Sequence, residues 1–520
     1  MANNKKVRPF GMRDKLAYAA GDLGCNMSFA LKGTVQTFWL VYMTMETGLL
    51  SILLLLVQIW DAINDPIIGS MVDADNRKYK MGKFKTYIFV GACGLLLAGA
   101  LVFIPLPNAE VWLKCVLFIA GYVIWDACYT VANVPYGSML SLVSSDSGER
   151  AQLSTWRSIG SLIGNMVPMM ILPMLIWRDH TYDGSGIIEG LDGIYHTNPV
   201  TGLQYEIGEV MLNPLTNAKV QDLLGQNVFW AALIMGVFGF ICFMFMIKKI
   251  TLRVDESSVK IEGGEKINII RSFKAFLKNR AAIGATIAAM AMFLGMNSAS
   301  TATTIMFATY FGEADLSGIA SVLGFLPMLI FMPFIKKLVE KFGKKEASTY
   351  GTIASLFGAC MMFIFPLISN KTGAMIMYII ALAIFGIGMG IYTCVSWALM
   401  ADAIDYNEWK TGRREEGAVY SLHSFFRKLA QGIGPSIVLL IMGAIGYVSE
   451  LGTVGQDSQT AYNMCWLVAC LYLFSAVLQF VAIAFVYNLD KKTTALMTKE
   501  LEARHASMKQ EDSSAEEVSA

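Results

Sequence analysis

Twelve apolar runs, each long enough to cross a bilayer, occupy most of this chain and leave little else to build a fold from. They lie at approximately 17–45, 49–72, 84–105, 111–142, 149–177, 227–248, 281–311, 316–336, 347–369, 372–402, 416–447 and 461–487. A hydrocarbon core takes about 20 apolar residues per helix and offers no water to backbone groups, so each run is predicted to be a transmembrane helix. With 55% hydrophobic and 16% charged residues among 520, the chain is too apolar for an ordinary soluble domain. Its 46 glycines and 32 methionines suit close packing of such helices.

The net charge of +1 hides a strong asymmetry. Lys and Arg crowd alternate connections: Lys5–Lys15, Arg77–Lys85, Lys248–Arg280, Lys336–Lys345, Lys410–Arg414 and Lys491–Lys492. The other connections hold few, such as Lys114, Lys219 and Lys371. The positive-inside rule then places both termini in the cytoplasm, as an even helix count also requires. No nucleic-acid partner is needed to explain the basic loops. The polar, basic start and the long, glycine-broken first run do not read as a cleavable signal. Nine cysteines sit in or near the apolar runs without metal-site spacing, and no structural disulfide is expected.

The runs divide into two sets of six around a charged linker. The predicted organisation is an N-terminal half at 1–250, a linker at 251–280, a C-terminal half at 281–487 and a disordered cytoplasmic tail at 488–520. Tyr79-Lys-Met-Gly82-Lys83-Phe-Lys85 in the first half is echoed by Lys341-Phe-Gly343-Lys344-Lys345 in the second. Such marks suggest duplication, as in transporters that rock around a midplane site. The outer loop at 178–226, rich in Gly, Asn and carboxylates, reads as a solvated insertion or, less favoured, a lid.

Ionisable residues inside the apolar runs carry the functional signal. In Trp60-Asp61-Ala-Ile-Asn64-Asp65-Pro66 two carboxylates and an amide fall at i, i+3 and i+4, on one helix face. At membrane depth such groups face a wet cavity, a partner charge or an ion. Clustered hard oxygens suit Na+, Li+ or H+. Simple pairing with basic groups on other helices is the competing reading. In the first run Asp22 and Asn26 are one turn apart, while Lys32 is rotated about 120° from Asn26 at ideal pitch. The fourth run carries Tyr129, Asn133 and Tyr136, helically spaced, with ring faces and hydrogen-bonding groups suited to a sugar or to helix packing. The fifth buries Arg157 a turn or two inside. In the tenth, Asp402, Asp405 and Glu408 read as a closing ion lock with Arg150 and Arg414. The eleventh holds His423, Ser424 and Lys428. Lys428 is a natural counter-charge to Asp61 and Asp65, and His423 reads as a hydrogen-bonding packer ahead of a proton shuttle.

Several motifs together resemble the glycoside–pentoside–hexuronide:cation symporter family of the major facilitator superfamily. They are Gly21-Asp22-x-Gly24-x-Asn26, Trp60-Asp-Ala-Ile-Asn-Asp-Pro66, Gly82-Lys-Phe-Lys85, Glu149-Arg150-x-Gln152-Leu153 and Ala401-Asp402-x-x-Asp405-Tyr-x-Glu408-Trp-Lys410. The resemblance implies an all-α membrane protein with the superfamily's fold, twelve helices in two six-helix halves. It implies a cation site at Asp61, Asn64, Asp65 and Thr130, and a lysine role for Lys428. It implies sugar contacts at Asn26, Tyr129, Asn133, Gly137, Arg157 and Ser424; the residues themselves add Asp22, Lys32, His423 and Lys428 as candidate substrate contacts. Against the melibiose permease-like pattern, Asn26 and Asn133 stand where aspartates grip galactosyl hydroxyls, and Gly137 where a tryptophan stacks. Two negative charges are gone while Lys32, Arg157 and Lys428 remain, so an acidic sugar is favoured over a neutral pentoside or β-glycoside.

The expected protein is thus a secondary active sugar symporter of the inner (cytoplasmic) membrane, coupled to Na+ or H+. No cofactor and no metal beyond a Na+ or Li+ at the cation site is expected. Its partners are a small sugar, a monovalent cation and membrane lipid, and it is expected to be monomeric. A lysolipid:cation symporter and a non-transporting sugar sensor are the alternatives. No nucleophile–base constellation or phosphate loop suggests an enzyme.

Overall fold

The structure, a computed structural model, describes residues 8–75, 77, 79–144, 146–188, 190–254, 273, 276–412 and 416–504. In chain order its main helices are α1 (Met12–Phe29), α2 (Lys32–Thr37), α3 (Thr47–Ala74), α4 (Lys83–Leu101), α5 (Val111–Val143), α6 (Ser147–Ile176) and α7 (Gly225–Lys249). They continue as α8 (Arg280–Met306), α9 (Ser317–Phe342), α10 (Lys344–Met361), α11 (Lys371–Thr411), α12 (Glu416–Ala444) and α13 (Ser458–Val481). Among the described residues eleven helices, α3 to α13, are long and apolar enough to cross a membrane. The first predicted run is different. Arg13, Asp14, Lys15 and Asp22 make α1 too charged to meet that measure, and the run is interrupted where Leu31 N–H bonds the Ser28 carbonyl, an i−3 turn. It resumes as α2 and ends in a π turn, Phe38–Tyr42.

Two compact units form. The first draws on Met1–Gly264, Ser300–Val322 and Pro435–Cys465, the second on Glu265–Ala299, Leu323–Gly434 and Trp466–Ala520. The division therefore does not follow the sequence midpoint: ends of α8, α9, α12 and α13 pack with the N-terminal half. In the first unit α1 packs on α6 and α7, and α5 on α3 and α4. The α1–α6 approach is backbone-close, because a Cβ on Gly160 would collide with the Ala19 carbonyl. In the second unit α10 packs on α11, and Tyr487, Leu399 and Ala403 lie in a core shared by α8, α11 and the chain after α13.

The halves repeat unusual backbone at matching places. Gly82 (φ +89°) precedes α4 and Gly343 (φ +106°) precedes α10, a left-handed region open to glycine at no steric cost. Each half's first run ends in a π turn, Phe38–Tyr42 and Phe307–Phe311. After α3, Asp75 accepts from the Tyr79 and Tyr87 hydroxyls at 2.6 and 2.7 Å and from Arg77 N–H at 2.9 Å. Those donors, Tyr79 first, hold its carboxyl down at about 2.

The expectation of a disordered tail is corrected, and the 178–226 segment, expected to be a solvated insertion or a lid, carries ordered structure. Strands β1 (Trp177–Asp179) and β2 (Gln221–Leu223) pair antiparallel, and Ile188, Tyr205, Met211 and Val220 bury a small core with Val454. Lys219 pairs with Glu313 at 2.6 Å, and Asn213 Nδ2 donates to the Val454 carbonyl. Its apolar residues are spaced irregularly, so periodicity does not reveal this core. The tail expected to be disordered from 488 is helical over 491–504. Met497 and Leu501, one turn apart, bury in the second unit's core, and Trp409 Nε1 donates to Glu500 at 2.6 Å. Most of the linker, with Arg414, lies outside the described residues.

Candidate functional site

The carboxylates of α3 enter a polar network running across to α5 inside the first unit. Thr130 Oγ1 donates to Asp65 Oδ1 at 2.9 Å and accepts from Asn64 Nδ2 at 3.1 Å. Asn64 Nδ2 also reaches Asp126 Oδ2 at 3.2 Å. Asp61 receives the Lys32 ammonium at 3.3 Å. Asp61, Asn64 and Thr130 are buried, and Asp65 is half-buried. The helical spacing of Asp61, Asn64 and Asp65 brings them to α5, while Thr130 lies one turn beyond Asp126 on the facing helix. The four residues expected to hold a cation are therefore neighbours. Together they present carboxylate, amide and hydroxyl oxygens, the donor set of a hard monovalent cation or a proton.

Lys32, the first residue of α2, follows the turn at Ala30–Leu31 and meets α3 and α5. Its ammonium also lies over the rings of Phe29, Tyr122 and Trp125, at 5.2, 5.8 and 6.0 Å.

A second polar cluster joins α1 to α6. Arg157 Nε donates to Asp22 Oδ1 at 2.9 Å, and Asn26 Nδ2 donates to Asp22 Oδ2 at 3.0 Å. Asn165 Nδ2 donates to Asn26 Oδ1 at 2.7 Å. The guanidinium lies over Tyr136, whose ring stacks on Tyr18 at 4.7 Å and whose hydroxyl donates to the Tyr18 carbonyl. Tyr136 is fully buried, so among the fourth-run aromatics it is a packing residue. Tyr129 and Asn133 stay half-buried, and the Tyr129 ring is 6.1 Å from Phe29. At Gly137 an added Cβ would meet nothing nearer than Arg157 Nη1 at 4.0 Å.

In the second unit α12 carries His423, Ser424 and Lys428. His423 Nδ1 and Thr286 Oγ1 are 2.9 Å apart, and the imidazole is edge-on to Trp397. The imidazole is thus buried and within hydrogen-bonding distance of Thr286. Ser424 and Lys428 are half-buried. On α11 Asp402 accepts from Lys344 at 2.6 Å, a base that follows Gly343 in the repeated basic motif. Asp405 is half-buried and Glu408 buried on the same helix, and the Glu408 carbonyl accepts from Arg504 Nη1 at 3.3 Å. Arg150, half-buried near the start of α6, belongs to the first unit.

Asp126, Asn165 and Lys344 were missed as site residues. Spacing held a signal for two of them: Asp126, Thr130 and Asn133 fall at i, i+4 and i+7, and Arg157 and Asn165 are two turns apart.

Comparison with known proteins fits these features. The sequence pattern of a family described as MFS/sugar transport protein matches residues 17–491. An uncharacterized symporter of Bacillus subtilis, YjmB, is 28% identical over 500 residues, covering 94% of this chain and 95% of its own. The glucuronide carrier protein homolog of Escherichia coli is 27% identical over 488 residues, covering 92% and 93%. The crystal structure of the nucleoside transporter NupG superposes with a TM-score of 0.55 at 12% identity, covering 91% of this chain and 99% of its own, a likeness of fold alone.

Proposed function

Because the chain belongs to the MFS/sugar transport protein family, we propose that it is a cation-coupled symporter importing a glycoside, pentoside or hexuronide, with Na+ or H+ as coupling ion. A multi-pass membrane transporter, not an enzyme, is the premise the family supplies. The observation that carries the coupling is the Lys32–Asp61 pair beside the Asn64–Thr130–Asp65 chain. Carboxylates gathered in low dielectric repel, so the site gains from a cation or proton. If substrate and cation prefer the same conformation, each strengthens the other's binding and neither moves alone. The clustering of Lys and Arg in alternate connections supports cytoplasmic termini and an inner-membrane location.

For the substrate we favour a sugar, with an acidic one first. Asn26, Asn165, Asn133, Tyr129 and Arg157 offer amides, a phenol and a guanidinium on neighbouring stretches of α1, α5 and α6. The glucuronide carrier homolog is consistent with an acidic cargo. A neutral pentoside or glycoside is the second reading, and one observation favours it. Arg157 and Lys32 already face Asp22 and Asp61, so an acidic group must exchange for one of these pairs.

Uptake of labelled acidic and neutral glycosides into proteoliposomes, driven by an imposed Na+ or H+ gradient, tests both points. Accumulation that Asp65→Asn abolishes, with sugar exchange surviving, supports the symporter. Accumulation without any cation gradient refutes the coupling.

A further inference from the structure

Beside the four expected cation ligands the first unit holds a third carboxylate, Asp126 of α5. It is 1% exposed. Its Oδ2 accepts from Asn64 Nδ2 at 3.2 Å, but among the described residues no hydrogen-bond donor reaches its Oδ1. Such a buried carboxylate oxygen is costly unless a cation serves it. Among the described residues the Lys32 ammonium lies 3.9 Å from Oδ1 and 3.3 Å from Asp61 Oδ2. At 3.9 Å that ammonium neutralises Asp126 without hydrogen-bonding it. Three features thus coincide: a lysine at a helix start between two carboxylates, a carboxylate oxygen left open, and a direct link from Asp126 through Asn64 to Thr130 and Asp65. The groups facing Lys32 are Asp61 from α3 and Asp126, Tyr122, Trp125 and Tyr129 from α5, with Phe29 of α1. The Tyr122 hydroxyl accepts from Gln58 Nε2 at 2.9 Å and also faces the Lys32 ammonium.

We propose that Asp126 is a fifth residue of the cation site and that Lys32 is its tethered counter-ion, which the coupling cation displaces from Asp61 and Asp126. The inference rests on the cation-coupled reading above and deepens it. With Lys32 in place, Asp61 and Asp126 face one positive charge. An arriving Na+ or proton takes over part of the Lys32 role at Asp61 and Asp126. The ammonium, on a flexible four-carbon stem, then swings free and adds positive charge for an acidic substrate group. The cation thereby prepares the sugar site, and the empty carrier does not present sodium-ready oxygens and a free ammonium together.

The test is equilibrium binding of radiolabelled Na+ to the purified full-length protein in detergent, with proton uptake followed by a pH indicator in the same samples. Lys32→Gln removes the tethered competitor, and Na+ affinity rises about tenfold, or half-maximal proton uptake moves about one pH unit upward. Lys32→Arg keeps the charge and stays near wild type. Asp126→Asn lowers affinity about tenfold, and Asp126→Glu restores most of it, which separates ligand loss from misfolding. Sodium-dependent protection against heat serves as a second readout, larger in Lys32→Gln than in wild type. An unchanged or weaker affinity in Lys32→Gln, or an unchanged affinity in Asp126→Asn, overturns the inference and leaves cation coupling standing. A wild-type protein that takes up neither Na+ nor protons overturns the coupling reading and this inference with it.

Discussion

Removing the Arg157 guanidinium strands the Asp22 carboxylate, which is 4% exposed. At 2.9 Å and an effective dielectric of about 20, two unit charges attract by about 6 kcal/mol. The Arg157 side chain is 36% exposed, so solvent screening roughly halves that, to about 3 kcal/mol. The stranded carboxyl has one escape, to take up a proton. From an ordinary value near 3.9 that costs about 4 kcal/mol at pH 7 and about 1.5 kcal/mol at pH 5. Arg157→Gln is therefore expected to lose about 3 kcal/mol at pH 7 and no more than about 1.5 kcal/mol at pH 5. The charge-neutral double variant Asp22→Asn/Arg157→Gln regains most of the loss at pH 7, because no buried charge remains. The assay is the apparent melting temperature of purified protein in detergent, each variant read against wild type at the same pH. A double variant as unstable as Arg157→Gln refutes the reasoning, as does a defect equally large at pH 5 and pH 7.

Three further outcomes are expected. Thr130→Val removes the oxygen that links Asn64 to Asp65, and the half-saturating cation concentration in uptake assays rises about tenfold, the worth of one hydrogen-bonding oxygen. Gly160→Ala lowers the yield of folded protein by size-exclusion chromatography because its methyl meets the Ala19 carbonyl, whereas Gly137→Ala, with open space around it, does not. The hydrogen bond to Asp222 raises the pKa of His180, so the β1–β2 ribbon is most stable below about pH 6.5. That stabilisation is lost as pH rises through the folded-state value. Hydrogen exchange at 177–179 and 221–223, corrected for intrinsic rate, is expected to be slower at pH 6 than at pH 8, and His180→Gln removes the difference.

Much of the architecture was legible because lipid imposes a simple rule: a spanning segment must be long, apolar and helical. Eleven of the twelve runs needed nothing more. The same rule exposed Asp61, Asn64 and Asp65, since polar groups at membrane depth stand out against their surroundings and helical spacing fixes their common face. The motif Gly82-Lys83 and its echo Gly343-Lys344 were visible as a repeat, and their shared positive φ follows from glycine's lack of a Cβ.

What the sequence did not contain is which face meets which. Helical spacing says that Asp126 shares a side with Thr130, but only packing α5 on α3 brings it to Asn64. Ideal pitch turned Lys32 away from Asn26, but only packing showed that it meets Asp61. Lys344 looked like one more loop base until the turn at Gly343 set it against Asp402. The buried pair Met497 and Leu501 was hidden in a polar tail, because two apolar residues a turn apart mean little without a core to receive them. Local pattern thus determined what spans, what repeats and which residues cannot be idle. Long-range packing decided how their charges are paired, because an ion pair joins residues distant in sequence and only the fold sets the distance between them.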